Sequence, residues 1–194
     1  KMVSDTSPRV AREDRVNWTE STALEPLGER RFGAHIDAAW TSLQGVHGGA
    51  VAATAVYAST AVVRELGAPA DTHLRAATFG FVAGNTVGDL TIDIDVVRQG
   101  RAMTTTHARV TQADKTTTVA RLHHSTPWDG PTYSDAPPPA PRPDETIRVE
   151  FPPPGHLNNV ETYLHPGTAI FAGTARSEWI AWSRPLHGVT FDAG

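Results

Sequence analysis

Cysteine is missing from all 194 residues, which excludes a disulfide framework, a thiolate nucleophile and a thiolate metal site. A chain without thiols is expected in the cytoplasm. Lysine is scarce as well: Lys1 and Lys115 are the only two, and the formal net charge is -4. No basic cluster offsets that charge, so nucleic acid is not an expected partner. Long apolar runs are also lacking, since none approaches the ~20 uninterrupted residues that span a bilayer, and no membrane partner is expected. Lys1 to Asn17 is polar, charged and aperiodic without the apolar centre of a signal peptide, and reads as a disordered tail. Hydrophobic residues reach only 39%. Proline, gathered between Pro127 and Pro154, accounts for part of that deficit, which therefore belongs to a linker and leaves enough apolar chain elsewhere for a core.

Alanine is plentiful, and one stretch concentrates it. From Val46 to Leu66 the chain has no Gly or Pro after Gly48-Gly49, carries apolar residues round the whole helical circumference and has almost no charge before Arg64. This predicts a helix buried on most sides. Alanine favours the helix and lets a neighbouring backbone approach closely. Gly67 and Pro69 should end it near Leu66.

Before the helix, Glu29 to Asp37 alternates, with Phe32, Ala34 and Ile36 on one face, and predicts a first strand. Ala38 to Val46 is then a loop carrying Trp40, while Trp18 to Leu27 gives no clear signal. After the helix, Leu74–Val82, Leu90–Arg98, Met103–Gln112 and Thr116–Ser125 read as strands of an antiparallel meander, with turns at Gln99-Gly100-Arg101 and Ala113-Asp114-Lys115. One buried helix followed by such a meander predicts an α+β domain over residues 18–126, its sheet curled around the helix. Residues 127–154 read as a linker, because Ala136 to Pro143 favours extended polyproline geometry. Beyond it, Ala169 to Trp182 reads as strand, and residues 155–194 are expected to begin a second unit that is incomplete at Gly194.

This order resembles the hotdog fold, and the residues sharpen the likeness. His47-Gly48-Gly49 with small residues at Ala53 and Ala58, then His73 to Phe81, then Val97-Arg98-Gln99-Gly100-Arg101, is similar to the N-terminal half of the TesB-type acyl-CoA thioesterases. The resemblance covers Glu25 to Thr126 and, more loosely, the linker with Phe171 to Arg184. It implies two hotdog units in one chain, hydrolysis of acyl-CoA, and catalytic Asp, Thr and Gln on the second unit, beyond the residues of this sequence. Where the family commonly ends the strand after the helix in aromatic-Leu-Arg-Pro, this chain has Phe81-Val82-Ala83-Gly84.

Thioester hydrolysis needs a polarised carbonyl and an activated water. Unpaired amides at a helix start supply the first, and Gly48 and Gly49 would let an acyl carbonyl approach them closely; the same glycines would also suit a tight loop-to-helix junction. His47 is the candidate base, with a loop histidine as its plain alternative. Asp37 is a second candidate base or a turn-former. Thr54 and Tyr57 follow along the helix as candidates to line an acyl channel, with plain packing as the alternative for both. Arg98 and Arg101 flank the hairpin glycine and suit the phosphates of coenzyme A, although arginines near a turn also serve as solvated surface. His123-His124 suggests no metal, because neighbours on a strand face opposite ways. No cofactor is expected.

The leading function is acyl-CoA thioesterase. The alternative is a non-catalytic hotdog scaffold that binds acyl-CoA or serves assembly. Enoyl-CoA hydratase ranks lower, since the Asp and His those enzymes place in the helix-opening segment have no counterpart in Gln44 to Ala52. Exposed sheet edges predict pairing, either with a second unit of the chain or with another copy.

Overall fold

The computed structural model describes residues 18–42, 44–131, 133, 135, 144–149, 155–168, 173 and 180–186. The tail over 1–17 and most of the strand expected over 169–182 lie outside the described residues, as does much of the linker. The described chain opens with a short helix α1 (Trp18–Ser21) and strands β1 (Glu25–Gly28) and β2 (Arg31–Ile36). A 3-10 turn at Ala38–Trp40 and the two-residue strands β3 (Thr41–Ser42) and β4 (Gly45–Val46) lead into helix α2 (Gly48–Glu65). The long strands β5 (His73–Phe81), β6 (Gly88–Gln99), β7 (Met103–Gln112) and β8 (Lys115–Ser125) follow.

These strands form one antiparallel six-stranded sheet in the order β1-β2-β6-β7-β8-β5, and α2 packs against β2, β5, β6, β7 and β8. Alternation dictates which face closes on the helix. Phe32, Ala34 and Ile36 on β2, Leu90, Ile92 and Ile94 on β6, Ala108 and Val110 on β7, and Ala120 and Leu122 on β8 are all buried in one core with Ala50, Val51, Ala55, Ala58 and Val62 of the helix. Ala108 stands opposite Ala120 in the ladder. Small residues on the sheet thus face an alanine-rich helix, and the two surfaces can come together without voids. This is the hotdog architecture.

Three details differ from the sequence reading. The helix is buried along one stripe, Ala50, Val51, Thr54, Ala55, Ala58, Ser59, Val62 and Val63, while Gly49, Tyr57, Arg64 and Glu65 are exposed. Alanine hides the helical period in the sequence, because it is apolar enough for the core and small enough for the surface. The loop carrying Trp40 is built from the 3-10 turn and the β3–β4 hairpin, set by the Asp37 carboxylate, which accepts from the Ala39 N–H at 2.7 Å. Asp37 is thus a turn-former. Third, Ile147–Arg148, inside the stretch read as linker, forms β9 and pairs with β10 (Val160–Leu164), which pairs in turn with β11 (Ala181–Pro185).

No described helix is long and apolar enough to cross a membrane.

Candidate active site

The start of α2 is set by two strands, β4 and β8, and by two turns. Asn85, buried in the turn between β5 and β6, donates its side-chain N–H to Thr117 Oγ1 at 2.9 Å, and its carbonyl accepts from the Val46 N–H at 3.0 Å. Gly45 makes that approach possible: it has φ +121°, and a Cβ there would stand 2.7 Å from the Asn85 carbonyl oxygen. The His47 N–H then donates to the Trp40 carbonyl at 2.8 Å. Trp40 is itself buried, with the Trp18 ring edge-on at a centroid distance of 4.9 Å.

His47 is the N-cap of α2. Its backbone is extended (φ -62°, ψ 123°), and its ring Nδ1 accepts from the Gly49 N–H at 3.2 Å. Gly49 is required for this, since a Cβ there would meet His47 Cε1 at 2.9 Å and Nδ1 at 3.0 Å. The Gly49 amide, expected to be open to an acyl carbonyl, is therefore taken by the histidine ring. The Gly48 N–H has no acceptor among the described residues, and Phe81 Cζ lies 3.1 Å from where a Gly48 Cβ would stand. One open amide remains at the positive end of the helix dipole.

A residue the sequence reading did not single out completes the cluster. His156, in the 3-10 turn His156–Asn159, stacks on His47 with centroids 4.0 Å apart and planes at 24°. Its Nδ1 lies 3.1 Å from the Thr41 carbonyl, and the buried Asn159 donates to the Ala39 carbonyl at 2.9 Å, fastening the turn to the loop before the helix. Burial and, after it, the neighbouring His156 ring hold the His47 imidazole below its usual pKa, so it is neutral near pH 7. A single histidine 109 positions downstream of His47, beyond a proline-rich stretch, carries no spacing signal, and only the fold brings it in.

The other candidates are dispersed. Thr54 is fully buried and donates to the Val51 carbonyl at 2.8 Å, part of the packed face of the helix. Tyr57 is on the exposed side, its hydroxyl accepting from Trp18 Nε1 at 3.0 Å. Arg98 and Arg101 are exposed at the β6–β7 turn, where Gln99 donates to the Leu66 carbonyl at 3.0 Å. That is the far end of α2, about 27 Å from Gly48 for 18 residues at 1.5 Å each. His123 and His124 diverge: His123 Nδ1 is 3.0 Å from Thr105 Oγ1, and His124 points into the core. No group of three or more potential metal ligands occurs among the described residues.

The family model of the acyl-CoA thioesterase N-terminal domain matches residues 36–125, from the end of β2 to the end of β8. Those 90 residues, a little under half of the chain, are similar to that domain. The chain as a whole has the fold of several solved structures. A conserved protein of unknown function with a hot dog fold from Alicyclobacillus acidocaldarius superposes with a TM-score of 0.73 at 23% identity, covering 87% of this chain and 62% of that one. The acyl-CoA thioesterase II TesB2 from Mycobacterium marinum gives 0.66 at 17% identity, covering 91% and 61%. A tesB protein from Mycobacterium avium subspecies paratuberculosis gives 0.60 at 18%, covering 90% and 62%. The chain therefore spans about six-tenths of the length of these structures. No curated protein sequence matches it. His47, Gly48 and Gly49 lie inside the matched residues, whereas His156 lies beyond them.

Proposed function

We propose that the chain acts in hydrolysis of acyl-CoA thioesters to free acid and CoA. The observation that carries this reading is the unpartnered Gly48 amide at the start of α2, within a thioesterase-family domain and beside the neutral imidazole of His47. An amide aimed along the helix dipole stabilises the oxyanion that forms when water adds to a thioester carbonyl. The stacked histidine pair at the helix start suits the accompanying proton transfer. Gly49 serves the site indirectly, by leaving room for the His47 ring.

The acyl-CoA is proposed to lie between paired units. β5 ends the six-stranded sheet, and its outer side has no strand partner among the described residues. Phe81, at its end, is 54% exposed, which leaves an apolar surface beside the helix start. Antiparallel pairing of β5 with the same strand of another hotdog unit puts the Phe81 end of one beside the His73 end of the other. His73 pairs with Ser125, and Ser125 with Met103 next to the β6–β7 turn. Each helix start then shares one end of the joined sheet with the partner unit's Arg98 and Arg101, which suit CoA phosphates. The partner is proposed to be a second copy or a second unit opened by β9, β10 and β11. The residues between β8 and β9 serve as the connection, and a reducing cytoplasm fits a chain without cysteine.

The test is thiol release from short, medium and long acyl-CoA esters, with sedimentation in parallel. Turnover by a self-associated species is the expected result. Retained acyl-CoA binding without thiol release would leave a binding scaffold instead.

A further inference from the structure

The two stacked histidines make opposite hydrogen bonds. A carbonyl oxygen can only accept, so His156 Nδ1, 3.1 Å from the Thr41 carbonyl, must carry a proton. The neutral His156 ring therefore keeps its lone pair on Nε2. A backbone N–H can only donate, so His47 Nδ1, 3.2 Å from the Gly49 nitrogen, must be unprotonated, and the proton of the neutral His47 ring lies on Nε2. One ring is left with a free donor and the other with a free acceptor, at a centroid separation of 4.0 Å. His47 thus cannot take a proton on Nδ1 without giving up the helix cap. His156 can take one on Nε2 and keep its bond to Thr41.

We propose that His156 is the general base of the site and that His47 acts as a hydrogen-bond donor beside the Gly48 amide. The assignment rests on the thioesterase reading. His156 Nε2 removes a proton from water as the water oxygen bonds to the thioester carbonyl carbon, and the carbonyl π pair moves to oxygen, where the Gly48 N–H and His47 Nε2–H hold it. The oxyanion then collapses, the C–S bond breaks, and the His156 imidazolium returns its proton to the leaving sulfur. The products are the carboxylic acid and CoA thiol. The low proton affinity of His47 suits a ring that donates and stays neutral throughout. The Asn159 bond to Ala39 and the stack on His47 hold His156 in place, so the turn after residue 154 supplies a group that the matched domain does not contain.

Thiol release from hexanoyl-CoA separates the roles. His156→Ala is expected to lower kcat about 100-fold with little change in KM, and His156→Phe, which keeps a flat ring on His47 but has no lone pair, equally so. Melting curves of both variants check that the fold is retained. N-methylimidazole, which has a lone pair and no N–H, should raise kcat of His156→Ala. It should fail with His47→Ala, where both an acceptor and a donor are needed and only imidazole can supply them. Turnover of His156→Phe within about threefold of the unaltered chain, or N-methylimidazole rescuing His47→Ala but not His156→Ala, would overturn the assignment alone. An unaltered chain that releases no thiol overturns the thioesterase reading and the assignment with it.

Discussion

His47 and His124 occupy opposite ends of the helix–sheet sandwich, and both imidazoles are held below their usual pKa, chiefly by burial and next by a neighbouring histidine, His156 for the first and His123 for the second. Their surroundings differ. His47 is only partly buried, caps the helix and is covered by a turn from distant sequence. His124 is 1% exposed, its Nε2 lies 3.3 Å from Thr60 Oγ1, and its Nδ1 has no partner among the described residues. The Thr60 hydroxyl already donates to the Val56 carbonyl at 2.8 Å, so it can only receive the His124 N–H. A charge on His47 has solvent nearby. A charge on His124 has none, so protonation there must be absorbed by the core around it. Ser59 and Thr106, both fully buried and 2.7 Å apart, make the same half of the core polar, whereas the half nearer the helix start is closed by Ile36, Leu90 and Val110. Burial is complete around His124 and partial around His47.

The largest effect expected is from breaking the deep end. Leu122 is fully buried on β8, opposite Thr106. Leu122→Ala should cost about 2–5 kcal/mol through lost burial and the cavity left behind, read as a fall in the urea midpoint. Turnover per folded molecule at low temperature should change little, because nothing at the helix start leans on that side chain. A loss of activity larger than the loss of folded protein would dissolve the contrast between the two ends.

A smaller effect separates the two imidazoles by pH. Both have a folded-state pKa below the unfolded one, so the unfolded chain binds more protons and stability rises with pH across that interval. The contribution is fully present above the unfolded value of about 6.5 and drains away as pH falls towards the folded-state value, by at most about 1.4 kcal/mol per pH unit for each group. His124→Leu removes a buried acceptor that has no partner, and should flatten the slope of the urea midpoint below neutrality while altering it little at pH 8. His47→Gln should leave most of that slope in place. Equal flattening by both would mean that the helix start is coupled to global unfolding as tightly as the core.

Much of this was legible in the residues. Alternation in Leu90 to Val96 and the glycine pair before an alanine-rich run led to the succession of helix and strands along the chain and to the family resemblance, because periodicity and turn chemistry act locally. The junction was harder to read. Gly45 reads as one glycine among several until the Asn85 carbonyl is seen 2.7 Å from its missing Cβ, and Gly49 reads as an open amide until the His47 ring is found on it. His156 lies beyond the proline-rich stretch, and contacts made across such separations leave no local pattern. The placement of Arg98 and Arg101 at the far end of α2 follows from strand direction: β6 leaves the turn that holds the helix start and runs to the opposite end of the sheet, and sequence proximity does not reveal it.

The smallest effect, and the finest division, lies between the two glycines of the helix start. In Gly49→Ala the new methyl would stand 2.9 Å from His47 Cε1, and since the ring is the free end of a side chain it will swing off the cap rather than unfold the helix. The expected cost is about 1 kcal/mol, that of a lost N-cap, together with a large fall in kcat because the ring no longer sits beside the Gly48 amide. Gly48→Ala meets Phe81 Cζ at 3.1 Å, and a ring that is 54% exposed can yield by a few tenths of an ångström. Its stability should stay within about 0.5 kcal/mol of the unaltered chain and its kcat should fall less than that of Gly49→Ala, because the methyl does not touch the ring that caps the helix. If the two alanine variants lost activity equally, room for a ligand at both positions would explain the glycine pair better than the seat of His47 does.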